Sequence, residues 1–219
     1  MKKALAILAL LLLAVPAEAA PVTGHVRFAG RAPGVSVPVI VYAEPLDGGR
    51  PQPGKFKVMQ NNKSFVPHVL AVPVGSTITF PNVDLIFHNV FSLSRPNPFD
   101  LGLYRAGDSK DRTFTMPATY SVFCNIHPQM SAIILVVPTS YITEADNMGN
   151  YRLDLPAGRY RITAWDERAA QPSTVEVSLA ASAQTVPEVT LDETQAADAQ
   201  HKNKFGQSYP AAAYDPKKN

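Results

Sequence analysis

An all-β protein made of two β-sandwiches is what this 219-residue sequence predicts. Three observations carry that reading. Apolar residues recur at every second position in short runs, the period of a strand with one buried face. Clusters of Gly, Pro, Asn and Asp break those runs at short intervals. Twenty prolines, with few helix-period apolar stretches, leave little room for helices.

The chain opens Met1-Lys-Lys, followed by an apolar run from Ala4 to Val15 and then Ala17-Glu-Ala19. A positive start, a short apolar stretch and an Ala-x-Ala site predict a cleavable signal peptide over residues 1–19. The apolar run is too short for a comfortable membrane-spanning helix, and no cysteine follows the cleavage site to carry a lipid. The expectation is a protein of the bacterial periplasm without stable membrane insertion. Twenty basic and eighteen acidic residues become eighteen and seventeen once Lys2, Lys3 and Glu18 are removed. So even a balance argues against nucleic acid and against electrostatic membrane binding. About two hundred mature residues make one large or two small domains.

Val22, Gly24, Val26 and Phe28 alternate with Thr23, His25 and Arg27, which predicts a half-buried strand. Gly30 to Gly34 turns the chain into a second, more apolar strand over 37–42. The loop Asp47-Gly-Gly-Arg-Pro-Gln-Pro-Gly54 reads as a domain boundary. Seven short strands follow, over 56–60, 69–72, 76–80, 88–92, 112–116, 120–124 and 131–137, with Phe99 to Gly107 as a long and partly irregular connection. Short strands punctuated by turns fit a sandwich or barrel, here residues 55–137.

A simpler rhythm returns after residue 137. Tyr151, Leu153 and Leu155 alternate with Arg152 and Asp154 after a turn at Asp146 to Asn150. Tyr160, Ile162 and Ala164 alternate up to Trp165, and strands over 175–179 and 186–191 complete the set. Asp166 and Glu167 read as a solvated loop, and the flanking strands are expected to be structural or to serve docking. Residues 193–219, which include His201, have almost no aliphatic side chains and read as a flexible tail.

Cys124 is the only cysteine. In an exported protein a lone thiol is an inert buried group, half of an intermolecular bridge, or a metal ligand. His127 and Met130 follow it at three-residue spacings, on the loop between the last two strands of the 55–137 segment. A thiolate, an imidazole and a thioether from one loop, joined by an imidazole from an earlier strand, form the donor set of a blue copper electron-transfer site. Tyr120, Val122 and Cys124 share one strand face, which points the sulfur inward. His88 is the upstream partner, placed after Phe80-Pro-Asn-Val-Asp84 where a strand restarts. His25 lies on the polar side of an early strand and His68 beside Pro67 on an exposed stretch, so both read as surface residues. Zinc also accepts Cys and His, but methionine in the remaining place favours copper. The Cys-x-x-Cys pair of thiol redox proteins is missing. Five histidines with no His-x-His pair exclude a multicopper oxidase.

Gly75-Ser-Thr-Ile-Thr-Phe80, His88-Asn89 and Tyr120-x-x-x-Cys124-x-x-His127-x-x-Met130 resemble the plastocyanin-like cupredoxins, with a His–Met gap similar to that of amicyanin. The resemblance spans residues 55–137. It implies a cupredoxin Greek-key β-sandwich and one type 1 copper, held by His88, Cys124 and His127 with Met130 as the axial ligand. It also implies that Asn89 hydrogen-bonds across to the cysteine loop and stiffens it. Electrons would pass through the exposed edge of His127, within a docking patch of Ile126, Pro128, Gln129 and Phe87. Ile126 departs from amicyanin, which has proline there, and the reduction potential is the property this departure would alter.

Asp146-Asn-Met-Gly-Asn-Tyr151, Leu155-Pro-Ala-Gly-Arg-Tyr160 and Gly24-His-Val26 resemble the carboxypeptidase regulatory-like, transthyretin-like sandwich. That implies a second, smaller sandwich built discontinuously from 21–54 and 138–192, with the copper domain inserted. The whole is similar to periplasmic proteins labelled methylamine-utilisation proteins. The expectation is a copper protein, not an enzyme, that moves single electrons between redox protein partners. The alternative is copper storage or delivery without electron transfer, against which the scattered methionines count.

Overall fold

The outer strands come first in the chain. In the computed structural model, which describes residues 19–196 and 203–208, β1 (Ala20–Ala29) and β2 (Val39–Pro45) precede the central strands. These are β3 (Lys55–Lys57), β4 (Met59–Asn61), β5 (Ser64–Val66), β6 (Val69–Pro73), β7 (Thr77–Pro81), β8 (His88–Ser92), β9 (Phe99–Tyr104), β10 (Ser109–Thr113), β11 (Ala118–Phe123) and β12 (Ser131–Val137). The chain then returns to the outer strands β13 (Ile142–Ala145), β14 (Asn150–Leu155), β15 (Gly158–Trp165), β16 (Ser173–Leu179), β17 (Gln184–Thr185) and β18 (Val189–Asp192). The described residues contain no helix, so none is long and apolar enough to cross a membrane. The expected signal peptide, His201 and most of the expected tail lie outside the described residues.

The protein is all-β, with two sandwiches. In the central one, the five-stranded sheet β6-β12-β11-β8-β9 and the three-stranded sheet β10-β7-β3 share a core of Ile78, Phe80, Val90, Phe114, Tyr120, Val122 and Ile134. β12 pairs antiparallel with β11 and parallel with β6, the strand crossing expected of a Greek-key plan. In the outer one, β1 lies between β14 and the parallel strands β17 and β18, while the second sheet runs β13-β2-β15-β16. Val22, Val26, Val41, Leu153, Leu155 and Ile162 fill its core. β2 and β13 flank the central strands in sequence and pair with each other, Val39 opposite Ala145. The chain therefore leaves and re-enters the outer sandwich through neighbouring strands.

β2 and β12 read as continuous apolar runs because both of their faces are buried. Val39, Val41 and Ala43 of β2 face the outer core, whereas Ile40 turns the other way. Ala132, Ile134 and Val136 of β12 face the central core, while Leu135 and Val137 turn outward. Ile40 and Trp165 meet Val69, Leu135 and Val137 in a third apolar cluster that joins the two sandwiches.

Five sequence expectations need correction. The connection after Phe99 is the strand β9; Gly102, with φ of 72°, interrupts a Phe99-Leu101-Leu103 alternation and hides it. The strand expected at 112–116 is Ser109–Thr113, a polar strand invisible to apolar periodicity that forms by pairing with β7. The single strand expected over 56–60 divides at Val58, because β3 pairs with β7 and β4 with β5. Finally, Asp166 is buried rather than solvated, 3.0 Å from Arg31 Nη2 and accepting N–H bonds from Arg168 and Ala169. Arg31 also donates Nε–H to Glu193, so the segment expected to be a flexible tail begins with a buried, ion-paired residue. Partners more than a hundred residues apart leave no local signal.

His68 and Glu167 link the two sandwiches beside the apolar junction. The imidazole Nε2 lies 2.8 Å from Glu167 Oε2 and Nδ1 lies 3.0 Å from the Ser131 carbonyl. Both nitrogens thus face acceptors. The hydrogen bond to Glu167 raises the pKa of His68 above 6.5, and the same bond holds Glu167 below 4.5. The folded state therefore keeps a proton on His68 that the unfolded chain releases. The pair's stabilisation is complete between the two unfolded values, is lost as pH rises through the raised His68 value, and is lost again as pH falls through the lowered Glu167 value. Partial exposure of both side chains limits it to about 1 kcal/mol or less. Denaturant unfolding at about pH 6 and about pH 8.5 is expected to show a larger stability drop for the wild type than for Glu167→Gln; equal drops would rule the pair out as the cause.

Candidate metal centre

Alternation along β11 sets the first donor. Tyr120, Val122 and Cys124 all point into the central core, each with 1% exposure or less. β11 and β12 stay paired up to Phe123 opposite Ser131, so residues 124–130 must close a short loop at the sheet end. Two backbone bonds tighten it, with Met130 N–H donating to the His127 carbonyl at 3.0 Å and Cys124 N–H to the Met130 carbonyl at 3.3 Å. Met130 is buried in the same apolar cluster as Cys124. β8 supplies His88 at its first residue, and β8 pairs with β11 through Phe91 and Phe123.

Three donor atoms converge as a result. Cys124 Sγ lies 3.9 Å from His88 Nδ1 and 3.7 Å from His127 Nδ1, and the two Nδ1 atoms are 3.1 Å apart. A triangle with these sides has a central point about 2 Å from every corner, the length of a bond from a first-row metal ion to an imidazole nitrogen. His88 and Cys124 are fully buried and His127 is half-buried. Burial, reinforced by His88 and Lys63, lowers the pKa of His127, which favours the neutral imidazole that binds metals. The donor set therefore fits a metal that accepts nitrogen and soft sulfur together. Among the described residues, this is the one such grouping of His, Cys and acidic side chains.

Hydrogen bonds hold the donors from behind. Asn89 N–H donates to Cys124 Sγ at 3.4 Å, and its side-chain oxygen accepts the Asn125 N–H at 3.2 Å. Asn89 Nδ2–H donates to Asp100 at 2.7 Å, where Lys204 Nζ also donates. Lys204 N–H reaches Asn125 Oδ1, so residues 203–208 contact the cysteine loop directly. The ladder shifts register between Asn89 and Phe91, a bulge of the kind that re-aims side chains near sites. On its far side, His88 Nε2 lies 2.7 Å from Asp84 Oδ2. Burial would raise the pKa of Asp84, but hydrogen bonds from Lys63 N–H, His88 and Asn62 N–H outweigh it and leave the carboxyl below its usual range.

Asp84, Asp100 and Lys204 escaped the sequence reading. Only Asp84 carried a signal, four residues ahead of His88. His25 and His68 lie outside the cluster, each with a ring nitrogen 2.8 Å from a glutamate carboxylate. The expected docking patch is altered. Ile126, Gln129 and Phe87 are exposed, but Pro128 is buried because the turn before Met130 folds it inward. Val83, Leu85 and Ile86, on the loop entering β8, are exposed apolar residues that the sequence reading did not include.

No protein-family model matches the chain, and no curated protein does. Among solved structures it is similar to cupredoxins. A purple cupredoxin from Nitrosopumilus maritimus matches at 22% identity over 37% of this chain and 98% of that one, with a TM-score of 0.34. Amicyanin from Paracoccus versutus matches at 20% identity over 38% of this chain and 81% of that one, with a TM-score of 0.36. A copper-containing nitrite reductase from Thermus scotoductus SA-01 matches at 29% identity over 52% of this chain and 28% of that one, with a TM-score of 0.36.

Replacing Asn89 by Ala removes the acceptor for Asn125 N–H and a donor to Asp100 in a buried setting. It is expected to cost about 1–3 kcal/mol in denaturant unfolding of the metal-free protein. Unchanged stability would show that this bridge does not hold the loop.

Proposed function

We propose that this protein is a periplasmic blue copper protein that carries single electrons between redox protein partners. The observation that carries the reading is the convergence of His88 Nδ1, Cys124 Sγ and His127 Nδ1, with Met130 buried at the end of the same loop. One type 1 copper held there by His88, Cys124, His127 and Met130 would supply reversible uptake and release of one electron.

The chain's own part is to keep one donor arrangement for both oxidation states. Soft thiolate and thioether suit Cu(I), while imidazole also suits the divalent ion. The paired strands β11 and β12 and the Asn89 bridge resist movement of the loop, which keeps reorganisation small. His127 is the one histidine of the set with partial exposure, so its ring edge is the outlet toward a partner. Ile126, Gln129 and Phe87 offer exposed contact surface near the ligand positions in sequence. The near-even charge balance favours weak, short-lived and rather salt-insensitive encounters, as a shuttle requires. The export signal in the sequence supports the periplasmic assignment, and the second sandwich, transthyretin-like in its motifs, is assigned a structural or docking role. The reading is of a carrier rather than an enzyme, with the buried donors providing an electron path.

Titration of the purified protein with Cu(II) is expected to produce an intense blue absorption that Cys124→Ala abolishes while keeping the β-sheet circular dichroism. A reversible one-electron couple should accompany the colour. A colourless protein that still binds Cu(I) would instead indicate copper storage or delivery, and no copper binding would defeat both readings.

A further inference from the structure

We propose that Asp84 is a positioning residue for the metal centre, orienting His88 through its outer nitrogen and biasing the site toward the oxidised ion. The inference rests on the copper reading above for its effect on potential, and on the geometry alone for its effect on His88. An imidazole has two nitrogens, and here they have separate tasks. Nδ1 faces Cys124 and His127, whereas Nε2 lies 2.7 Å from Asp84 Oδ2. An ionised carboxylate only accepts hydrogen bonds. Nε2 must therefore carry the ring proton, leaving the Nδ1 lone pair directed at the other donors.

The carboxylate is itself held in place. Asn62 N–H donates to Oδ1 at 2.6 Å and Lys63 N–H to Oδ2 at 2.9 Å. Asn62 and Lys63 are the central residues of the β4–β5 hairpin, with φ of 52° and 53°. That left-handed pair is the hairpin turn whose twist matches its strands, and here it aims two successive N–H groups at one carboxylate. A lysine in this conformation is uncommon; both N–H bonds to Asp84 reward it. Asp84 N–H in turn donates to the side chain of the buried Asn82 at 3.1 Å. Donors thus surround both carboxylate oxygens, and the side chain is only 12% exposed.

A fixed anion on the outer nitrogen of a ligating histidine makes the ring a stronger donor, and loss of such a partner typically costs about 10–100-fold in metal affinity. Its negative charge favours the more highly charged Cu(II) over Cu(I). The carboxylate thereby lowers the reduction potential relative to the same site with a neutral acceptor.

The test uses the full mature chain and Asp84→Asn, which preserves shape and an acceptor but removes the charge. In copper-loaded protein, the variant is expected to lose about tenfold in Cu(II) affinity relative to Cu(I), equivalent to a rise of about 59 mV in a one-electron potential. A blue variant with unchanged potential would overturn the electrostatic role. In the metal-free wild type, long-range nitrogen–proton NMR correlations are expected to show His88 as the Nε2–H tautomer. A His88 carrying its proton on Nδ1 would overturn the positioning role, whether or not Asp84→Asn folds. If the wild type develops no blue colour, the copper reading fails, and the tautomer measurement still decides whether Asp84 orients His88.

Discussion

Strand β12 is buried on both faces, and that double burial is the constraint on which the rest of the molecule depends. One face, through Ala132, Ile134 and Val136, completes the central core beneath the donor loop. The other, through Leu135 and Val137, joins Ile40 and Trp165 at the junction with the outer sandwich. A one-residue slip would exchange the two faces. Its register with β11 also determines where residues 124–130 must close. Core packing, the union of the two sandwiches and the position of three donor residues therefore share one alignment.

The candidate metal centre is built from two loops braced against each other. The cysteine loop closes through its own backbone bonds, and Asn89 ties it to β8 through Asn125 and the sulfur. The loop entering β8 is braced separately, with Asp84 joining the β4–β5 turn to His88. The two braces act on adjacent residues of β8, His88 and Asn89. The imidazoles of His88 and His127 meet where they converge, with ring centroids 4.8 Å apart and an edge-on arrangement. A donor set that already stands in place has little to rearrange. Lys204 adds a third contact from the far end of the chain, bonding both Asp100 and Asn125.

Much of this was legible in the sequence because its signals are local. The three-residue spacings of Cys124, His127 and Met130 sit on a loop between strands with clear alternation, and the inward face of Tyr120, Val122 and Cys124 follows from period two. Few histidines compete with His88 for the upstream place, because the chain has five in all. The misreadings share a different cause. β10 is polar on its exposed positions and depends on pairing with β7, so no apolar period announces it. Pro128 belongs to the docking patch that the cupredoxin resemblance implies, yet the turn before Met130 buries it. Asp166 and Glu193 looked solvated because the arginine they share lies far away in sequence.

By itself the sequence determined the all-β class, the inward face of Tyr120, Val122 and Cys124 and the placement of Cys124, His127 and Met130 between two strands, since each depends on neighbours a few positions apart. Only the tertiary structure decided which groups orient those donors and how the two sandwiches meet. Asp84 faces His88 because a hairpin turn more than twenty residues earlier holds its carboxylate. Asp100 and Lys204 bond each other across more than a hundred residues. Contacts of that kind arise when chain closure brings distant segments together, and neither spacing nor periodicity records them.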